Sequence, residues 1–563
     1  MTDLINISKA CSFASFVIIL MILFVHGFAG FSRSIVIIDW FLTLLLISGN
    51  RIAIRLFFWL GARDESTRFI WKGFFPQFFK HDRGGKKLLI IGAGDCGEKI
   101  FREIHDNFYL GYEVVGFIDD DPAKANLKIH GIPVVGNTEE IRFLVNKMGI
   151  EELLIAIPSA SSAKMRTIVD RCDESGIPFK IVPGMGELIN GKVTVKAIRD
   201  VAYKDLLGRE TVKLDEESIG KYLKGKRVLI TGAGGSIGSE LCRQVCRYTP
   251  ESIILYERAE SPLFEIELEL KDNFQYIKII PRLADILNVQ QLKNVFHEEN
   301  PHVVFHAAAY KHVPMLEIQP WEAMRNNILG TRNIIEEAKA FHVERFVYVS
   351  TDKAVQPVNV MGASKRVAEL LVQAQNGCGL SNTQFVTVRF GNVVGSVGSV
   401  VPLFRKQIEK GGPVTVTHPE ITRYFMTIPE ACQLILQASS MGKGGEIFIL
   451  EMGIPIKIAD MAKDLIRLSG FEPDVDIKIK YIGLRPGEKL SEELITEEEG
   501  IVQTSHEKIM VVQGPICDIE LISSKLDQLL ELAVKQDGEE IKRTLKEILP
   551  EYNPETKEIV KTC

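Results

Sequence analysis

The chain has 563 residues, 46% of them hydrophobic and 25% charged, which predicts two or three folded domains. Its formal net charge of -6 gives no basic surface of the kind that nucleic-acid-binding proteins carry, so we expect no nucleic-acid partner. The nine cysteines form no Cys-x-x-Cys pair and no cluster with histidine, which favours reduced thiols over a disulfide framework and predicts no metal site.

Two apolar stretches near the start of the chain predict a membrane anchor. Residues 13–31 are about long enough to span a bilayer, and residues 34–48 form a second stretch that Asp39 interrupts. Basic residues are frequent over 51–87, which by the positive-inside rule places that side in the cytoplasm. We therefore expect a transmembrane helical hairpin in a lipid bilayer. A cleaved signal peptide and a buried hairpin of a soluble protein are the alternatives.

The first glycine-rich motif follows a predicted strand. Gly92, Gly94 and Gly97 form Gly-x-Gly-x-x-Gly before a helical stretch, and the next strand ends in Asp119. Glycines at such a turn let the backbone approach a pyrophosphate, and an acid one strand later suits a ribose. The pattern predicts a nucleotide loop in a doubly wound α/β domain. No catalytic residues follow it, so the alternative is a domain kept for regulation or assembly.

A second glycine-rich loop lies in the same strand, loop and helix context. The strand ends at Thr231, and a helical pattern opens at Ser239. A helix that begins at such a loop offers free N–H donors to a phosphate. The residues expected to bind a dinucleotide here are Gly232, Gly235, Ser236, Ile237 and Gly238.

The three strands that follow supply the other predicted contacts to the dinucleotide. Glu257 ends a strand about 20 residues beyond the loop, where a carboxylate accepts the ribose hydroxyls of NAD. Arg258 suits a 2′-phosphate instead, so NADP stays open. The other predicted contacts flank the adenine or lie where small side chains admit the cofactor: Asp285, Ile286, Ala307 and Ala308.

Four strings make the pattern of the second half specific. They are Thr-Gly-Ala-Gly-Gly-Ser-Ile-Gly (231–238), His-Ala-Ala-Ala-Tyr-Lys-His-Val-Pro (306–314), Ser-Thr-Asp-Lys-Ala-Val (350–355) and Arg-Tyr-Phe-Met-Thr-Ile-Pro-Glu-Ala (423–431). Their order resembles the extended short-chain dehydrogenase/reductase family. Together they are similar to the membrane-anchored UDP-N-acetylglucosamine 4,6-dehydratases of bacterial polysaccharide and glycoprotein synthesis, and the resemblance covers nearly the whole chain.

The resemblance implies a location, partners and a cofactor. The protein is expected to be a multi-pass protein of the bacterial inner membrane with a cytoplasmic catalytic domain, and to form homo-oligomers. The expected substrate is UDP-N-acetylglucosamine or a related UDP-sugar. The expected cofactor is NAD, with NADP as the alternative.

The chain departs from the usual family pattern in two places. Members usually begin with four membrane spans, whereas this chain shows two. Where a catalytic tyrosine is usual, the chain has Met361, which has no titratable proton. The membrane-anchored branch is similar to this chain in carrying methionine there.

The resemblance also implies a three-stage reaction: hydride leaves sugar C4, water is eliminated across C5–C6, and the hydride returns to C6. Asp352 is then expected as the general acid, and Lys353 as the C5 base or as the group that tunes Asp352. Thr351 should bond the C4 hydroxyl, and Lys365 should hold the nicotinamide ribose. The alternative for 351–353 is a surface turn with an ion pair.

The segment after the catalytic strand, together with two residues before it, is expected to bind the nucleotide sugar. The predicted contacts are Lys311 and His312 in the sugar pocket, Asn392 at a phosphate or the sugar, Arg423 and Arg485 at the diphosphate, and Glu488 at the uridine ribose. Arginine suits a diphosphate because its guanidinium binds oxygen pairs in a fork. For each of these residues alone, a solvated or structural role is the alternative.

The predicted fold is α/β, with two Rossmann-like doubly wound parallel-sheet domains in tandem after the transmembrane hairpin. The predicted parts are the anchor (1–60), a juxtamembrane linker (61–85), the first Rossmann-like domain (86–185), a connection (186–224), the catalytic domain (225–500) and a C-terminal tail (501–563). Two other functions stay open. A UDP-sugar 4-epimerase needs no acid for a C6 hydroxyl, so Asp352 argues against it. A membrane-bound nucleotide-sugar sensor or scaffold is favoured by Met361.

Overall fold

The computed structural model describes residues 85–107, 110–182, 199–207, 212–376, 382–495, 500–513 and 519–554, together with residues 38–49 except 39, 44 and 48. The chain divides into two compact units, Met1–Gly85 and Lys86–Cys563. In the first unit the described residues are helical, and their large apolar side chains, among them Phe41 and Leu45, are exposed.

The predicted membrane anchor is corrected by the structure. A crossing needs about 20 consecutive residues of apolar helix. Within the described part of the chain, no helix is both long enough and apolar enough to cross a membrane. The transmembrane hairpin in the predicted fold class, and the multi-pass inner-membrane location inferred from it, are therefore wrong by this criterion. The predicted span 13–31 lies outside the described residues.

Among its described residues the second unit contains two large sheets and three two-stranded ones, and the first large sheet has seven strands. These are β1 (Lys86–Ile91), β2 (Tyr112–Ile118), β3 (Lys128–Ile129), β4 (Ile132–Gly136), β5 (Glu152–Ile155), β6 (Phe179–Ile181) and β7 (Arg199–Asp200). Their order is β3-β4-β2-β1-β5-β6-β7. The five central strands, β4, β2, β1, β5 and β6 in sheet order, pair in parallel. The edge strands β3 and β7 pair antiparallel with their neighbours.

Helices connect the strands of this first sheet. They are Asp95–Asp106, Ile141–Met148 and Ser162–Asp173, with short 3-10 turns at Pro122–Lys124 and Thr138–Glu140 and a short helix at Tyr203–Leu206. The last four residues of β1 are all buried, as expected of a parallel strand covered on both faces. The predicted α/β character of this region is confirmed.

The second sheet has nine strands. In chain order they are β8 (Arg227–Thr231), β9 (Ser252–Glu257), β10 (Lys278–Leu283), β11 (Val303–His306), β12 (Arg345–Val349), β13 (Gln384–Arg389), β18 (Ile447–Leu450), β21 (Gly500–Gln503) and β22 (Ile509–Gln513). Their order is β10-β9-β8-β11-β12-β13-β18-β22-β21. All pairs from β10 to β18 are parallel, and β22 and β21 close the edge antiparallel.

This strand order creates a crevice beside β8. The chain winds outward from β8 through β9 to β10, and then returns to the other side of β8 with β11. In open parallel sheets, ligands bind at such a reversal, outside the carboxyl ends of the strands. The glycine loop 232–238 follows β8 and therefore lies at the reversal.

Helices connect the strands of the second sheet and of the smaller sheets beside it. They are Glu216–Leu223, Ser236–Arg247, Glu260–Asn273, Val289–Glu299, Val313–Ile318, Pro320–Ala323, Gly330–Ala340, Val360–Ala374, Val400–Glu409, Ile428–Met441 and Ile458–Leu468, with a π-helical turn at Met324–Leu329 and a 3-10 turn at Asp352–Ala354. Three small sheets pair β14 (Asn392–Val393) with β17 (Phe425–Met426), β15 (Val414–Val416) with β20 (Ile479–Tyr481), and β16 (Thr422–Arg423) with β19 (Ile456–Lys457).

The first sheet domain and the segment after residue 400 share one hydrophobic core. Ile168 and Tyr203 belong to the same buried cluster as Phe404, Met461 and Leu465. An ion pair of 3.7 Å between Arg166 and Asp464 lies at the same junction. The first domain is thus packed against the second through a continuous apolar interface.

The C-terminal helices also belong to this packed body. Helices Ile519–Lys535 and Gly538–Ile548 contribute Leu529 and Leu545 to a cluster that contains Met361 and Val367 of helix Val360–Ala374. The last described helices therefore brace the helix that carries Lys365.

Candidate active site

The glycine loop after β8 is shaped by close backbone approaches. Gly232 has φ +67°, and a Cβ there would stand 2.9 Å from the backbone of Ala308. A Cβ on Gly238 would stand 2.0 Å from the carbonyl oxygen of Gly232. Only glycine fits either position, because each contact is with backbone. The structure thus brings the predicted loop residues against the predicted small residues at the end of β11.

The helix that follows the loop begins with free donors. Gly235 is its N-cap and provides no side-chain cap, and no acidic residue lies in the first turn of Ser236–Arg247. The backbone N–H of Val397 donates to Ser236 Oγ at 3.2 Å, which brings the segment around 397 over the loop. Ile237 packs against the core as a partly buried side chain. The arrangement suits an anion because the helix end is positive and uncapped.

Glu257 is oriented by the loop itself. Its Oε2 accepts the N–H of Gly234 at 3.1 Å, and its Oε1 accepts those of Arg258 and Ala259 at 2.9 and 3.0 Å. The carboxylate therefore stands at the mouth of the crevice.

Arg258 and Asp285 lie next to each other beyond Glu257. The Arg258 guanidinium lies 4.5 Å from the ring centre of Tyr310 and 4.0 Å from Asp285 Oδ2. Ile286 is buried, and a Cβ on Gly330 would meet its side chain at 2.4 Å. Two strand ends thus bring these predicted cofactor contacts together, although they lie about 28 residues apart in the chain.

The predicted catalytic string forms a tight turn after β12. The Thr351 hydroxyl donates to Asp352 Oδ1 at 2.8 Å, and Lys353 Nζ donates to the same oxygen at 3.0 Å. The Asp352 side chain is fully buried, and that of Lys353 is 17% exposed. The alternative of a solvated surface ion pair does not fit this burial.

One carboxylate oxygen of Asp352 is free. Within the described residues, Oδ2 is buried and has no hydrogen-bond partner. It lies 3.0 Å from the position of a Cβ on Gly391, so a larger residue at 391 would crowd this oxygen. An unpaired buried carboxylate oxygen costs free energy, which a functional site tolerates when a substrate group or a proton completes the bond.

Lys353 lies among further polar groups. Its Nζ donates to Asn392 Oδ1 at 3.2 Å and lies 3.7 Å from Glu492 Oε1. Burial by itself lowers the pKa of Lys353, but the charges of Asp352 and Glu492 outweigh it and raise the pKa above the ordinary value. Lys353 is therefore an ammonium ion at neutral pH.

Arg423 is already engaged by the protein. Its guanidinium donates to the carbonyl oxygens of Thr422, Lys489 and Leu490 at 2.6, 2.8 and 3.2 Å. It also lies 3.6 Å from Glu492 and is buried. Arg423 thus links β16 to the segment after residue 485. Since several of its guanidinium N–H groups make these bonds, fewer of them are available for a diphosphate.

The other predicted substrate contacts lie around that segment. Arg485 is exposed, and its backbone N–H donates to Glu488 Oε2 at 3.1 Å. Glu488 Oε1 accepts from Thr417 at 3.3 Å. Lys311 and His312 are exposed after β11, and the His312 ring lies 2.6 Å from the position of a Cβ on Gly398. In the described part of the chain, the hydrogen bonds to the Asp352 carboxylate come from Thr351 and Lys353 and not from these four residues.

Asn359 connects this segment to the next helix. Its amide donates to the carbonyl oxygen of Gly487 at 2.9 Å, and its Oδ1 caps the helix by accepting the N–H of Gly362 at 2.7 Å. The residue was not predicted, although an asparagine before an apolar helical stretch is a known capping signal.

Lys365 is buried under the catalytic turn. Its Nζ donates to the carbonyl oxygen of Val349 at 2.7 Å and lies 4.1 Å from the ring centre of Tyr348. Burial lowers the pKa of Lys365 to about 7. Met361, one turn earlier, is buried in the apolar cluster under the C-terminal helices.

The titration of Lys365 predicts a pH dependence of stability. Because its pKa falls from 10.5 to about 7 on folding, the unfolded chain binds the proton more readily between these values. Stability should therefore rise as the pH increases from about 7 to about 10. Lys365→Met should remove that part of the slope of Tm against pH, whereas Lys406→Met on an exposed helix position should retain it. An unchanged slope in Lys365→Met would contradict the prediction.

Behind Lys365 lies a buried ionic network that the sequence analysis missed. Arg389 at the end of β13 donates to both oxygens of Glu369, at 2.8 and 2.7 Å. The Ser350 hydroxyl donates to Glu369 Oε1 at 2.7 Å, and Arg366 to Oε2 at 3.0 Å. This network fixes the strand end that carries Thr351. The available signal was a charged residue at the end of an otherwise apolar strand.

The first glycine loop has a similar shape but different electrostatics. Gly92 has φ +113°, and a Cβ on Gly97 would stand 2.0 Å from its carbonyl oxygen. However, Asp95 and Glu98 occupy the first turn of the helix that follows, and negative side chains there compete with a phosphate. The structure places open space around the position of a Cβ on Gly94.

Asp119 is likewise already paired. It accepts the N–H of Ala93 at 2.8 Å and lies 2.9 Å from Lys124 Nζ. Burial raises its pKa, but these bonds and that of Asp121 outweigh burial and lower it. Glu257 at the second loop is paired with backbone N–H groups in a similar way, so the acidic first turn is what makes the first loop less favourable for an anion.

The glycine loop at the sheet reversal, together with a Thr-Asp-Lys turn after β12 and a lysine on the next helix, defines an extended short-chain dehydrogenase/reductase. Residues 228–514 match the family described as polysaccharide biosynthesis protein, and residues 1–183 match a family described as CoA-binding domain. The chain belongs to the polysaccharide biosynthesis protein family, which is related to nucleotide-sugar dehydratases and epimerases. The first loop, with two acidic residues in the first turn of its helix, is less favourable for an anionic nucleotide than the second.

Three curated relatives illustrate this kinship. The chain is 43% identical to the capsular polysaccharide biosynthesis protein CapD of Staphylococcus aureus, over 90% of this chain and 82% of that one. It is 46% identical to the probable polysaccharide biosynthesis protein EpsC of Bacillus subtilis, over 82% and 74%. It is 34% identical to a UDP-N-acetylglucosamine 4,6-dehydratase (inverting) of Campylobacter jejuni, over 56% and 90%.

Proposed function

We propose that the chain is a nucleotide-sugar 4,6-dehydratase that converts UDP-N-acetylglucosamine to a UDP-4-keto-6-deoxy-N-acetylhexosamine. The observation that carries the proposal is the buried Asp352 with one free carboxylate oxygen beside the Lys353 ammonium. Elimination of water needs an acid for the departing hydroxyl and a base for the C5 proton, and one carboxyl group held by a fixed cation can serve as both in turn. Membership of the family and the similarity to the Campylobacter dehydratase support the proposal.

The second glycine loop fits a nicotinamide dinucleotide. A Cβ at Gly232 or Gly238 would fill the cradle, and the uncapped helix start offers N–H donors at Ser236 and Ile237 for the pyrophosphate. Glu257 would accept the adenosine ribose hydroxyls, and its charge favours NAD over NADP. When bound, the nicotinamide supplies reversible hydride transfer, so that the net reaction loses one water without consuming the cofactor.

Each residue of the Thr351-Asp352-Lys353 turn after β12 has a separate role in the proposed proton transfers. Thr351 is positioned to bond the C4 hydroxyl and to pass its proton towards Asp352, since its own hydroxyl already donates to that carboxylate. Asp352 delivers that proton to the C6 hydroxyl, which departs as water, and its carboxylate takes up the proton that leaves C5 in the same step. At the end of the cycle Asp352 returns this proton to C5, so that the only net loss is one water. Because Lys353 is held as an ammonium ion, we assign it to tuning Asp352 and not to abstracting the C5 proton as a free amine.

Met361 and Lys365 complete the site on the helix after the turn. Met361 is buried and supplies no proton, which leaves the C4 proton to Thr351 and Asp352. Lys365 would hold the nicotinamide ribose and contributes a group whose charge changes near neutral pH.

The nucleotide sugar is proposed to lie between the turn and the segment after residue 485. Asn392, bonded to Lys353, would contact the sugar or a phosphate. The exposed Arg485 would bind the diphosphate, and Glu488 the uridine ribose. Lys311 and His312 would line the sugar pocket from the end of β11.

The cofactor assignment predicts unequal effects of two equivalent substitutions. Gly238→Ala and Gly97→Ala each place a Cβ 2.0 Å from a loop carbonyl oxygen, in the second and first loop respectively. Gly238→Ala should weaken NAD+ binding by at least about ten-fold, or about 1.4 kcal/mol, while Gly97→Ala should leave it unchanged. Isothermal titration of each full-length variant measures this. Loss of binding in Gly97→Ala alone would place the cofactor at the first loop.

The function is tested by incubating the purified full-length chain with UDP-N-acetylglucosamine and NAD+. We expect a product one water lighter, with a 4-keto group in its NMR spectrum and no accumulation of NADH. A product of unchanged mass and altered C4 configuration would show a 4-epimerase, and bound but unaltered UDP-sugar would show a sensor. Either result would overturn the proposal.

A further inference from the structure

Glu492 is a buried acid that lies between two cations of the site. Its side chain is 6% exposed, and Oε1 lies 3.7 Å from Lys353 Nζ and 3.6 Å from an Arg423 guanidinium nitrogen. It follows the Arg485–Lys489 segment in the chain, and no sequence motif used above includes it. A carboxylate buried to this degree is costly unless it is paired, and here its partners are the two cations.

Arg423 holds the position of this carboxylate. Its guanidinium is bonded to three main-chain carbonyl oxygens, two of them in residues 489 and 490, just before Glu492. The arginine therefore cannot approach Lys353 or turn away without breaking those bonds. Glu492 is in this way a fixed negative charge 3.7 Å from the Lys353 ammonium.

We propose that Glu492 is a positioning residue that keeps the Lys353 ammonium charged and directed at Asp352. The inference rests on the proposed function, in which Lys353 tunes Asp352. The charged and polar groups that face Lys353 are Asp352 at 3.0 Å, Asn392 at 3.2 Å and Glu492 at 3.7 Å, with Arg423 behind Glu492.

The balance of these groups gives the direction of the effect. Two carboxylates favour the charged lysine, whereas burial and the Arg423 charge disfavour it. Without the Glu492 charge, only Asp352 would oppose burial and Arg423. Lys353 would then lose its proton at a lower pH, and Asp352 would lose a steady cationic partner.

The test measures the titration of Lys353 directly. The full-length chain is pulsed with acetic anhydride at a series of pH values, and acetylation of Lys353 is quantified by peptide mass spectrometry. In Glu492→Gln, the pH at which Lys353 is half-maximally reactive should fall by about one unit. At a pH below this midpoint in both proteins, Lys353 of the variant should therefore be acetylated about ten-fold faster than that of the unaltered chain. Glu493→Gln, the adjacent exposed acid, should leave the midpoint where it is in the unaltered chain.

A conservative variant separates charge from packing. Glu492→Asp keeps the charge one methylene further away and should shift the midpoint less than Glu492→Gln does. If Glu492→Gln does not fold, the midpoint of Glu492→Asp is compared with that of the unaltered chain instead. An equal midpoint in all three variants and the unaltered chain would overturn the inference. A downward shift in a chain without dehydratase activity would retain the Glu492 role and reject the proposed function.

Discussion

Asp352→Asn is expected to reduce dehydratase turnover by about 100- to 10,000-fold, the range typical of losing a general acid. Asparagine has nearly the same shape and can still accept the Thr351 and Lys353 hydrogen bonds. It cannot deliver a proton to a departing hydroxyl. The Oδ2 position, which is buried beside Gly391, would instead carry an amide.

Turnover is measured from the rate of 4-keto product formation at saturating UDP-N-acetylglucosamine. NAD+ binding should be retained, because Asp352 is remote in sequence from the loop 232–238 and makes no bond to it in the described residues. Asp106→Asn, at an exposed side chain of the first domain, is the matched control and should keep full turnover. Turnover of Asp352→Asn within a factor of a few of the unaltered chain would remove Asp352 from the chemistry.

Glu369→Gln is expected to destabilise the second sheet domain by about 3–5 kcal/mol, the cost of leaving a buried charge without its partner. Arg389 is 1% exposed, and its guanidinium donates to both carboxylate oxygens of Glu369. Burial by itself raises the pKa of Glu369, but Arg389 and Arg366 outweigh it and lower the pKa to about 2. The contribution is therefore present above the unfolded pKa of 4.5 and is lost as the pH falls towards 2.

The measurement is the urea unfolding midpoint at neutral pH. Glu420→Gln removes one partner of an exposed ion pair with Lys457 and should leave the midpoint unchanged. Replacing both partners, as Glu369→Leu with Arg389→Met, should recover most of the loss, because neither charge then remains buried alone. A midpoint of Glu369→Gln equal to that of Glu420→Gln would contradict the prediction.

The two sheets illustrate how far local patterns reach. The apolar runs of β1 and β8 and the glycines after them were sufficient to predict two α/β domains, because a parallel strand buried on both faces must be apolar along its length. The predicted transmembrane hairpin rested on the hydropathy of residues 13–48, on the basic residues that follow and on the resemblance to membrane-anchored enzymes. It was wrong because the described helical residues between 38 and 49 form no apolar helix of spanning length.

The sequence by itself determined those parts of the site whose chemistry depends on neighbours in the chain. The loop 232–238 needs its glycines where the backbone turns, and Thr351, Asp352 and Lys353 form one turn because they are consecutive. Such features are local, so spacing and residue type are sufficient to predict them.

Only the tertiary structure decided which distant charges meet. Glu492 lies near Lys353 and Arg389 pairs with Glu369 because separate strands and segments converge at one edge of the sheet. The same convergence occupies Arg423 with carbonyl oxygens, whereas its residue type alone favoured a diphosphate. Burial then sets the protonation of Lys353 and Lys365, since the free energy of a charge depends on the solvent and partners around it, which no single stretch of sequence contains.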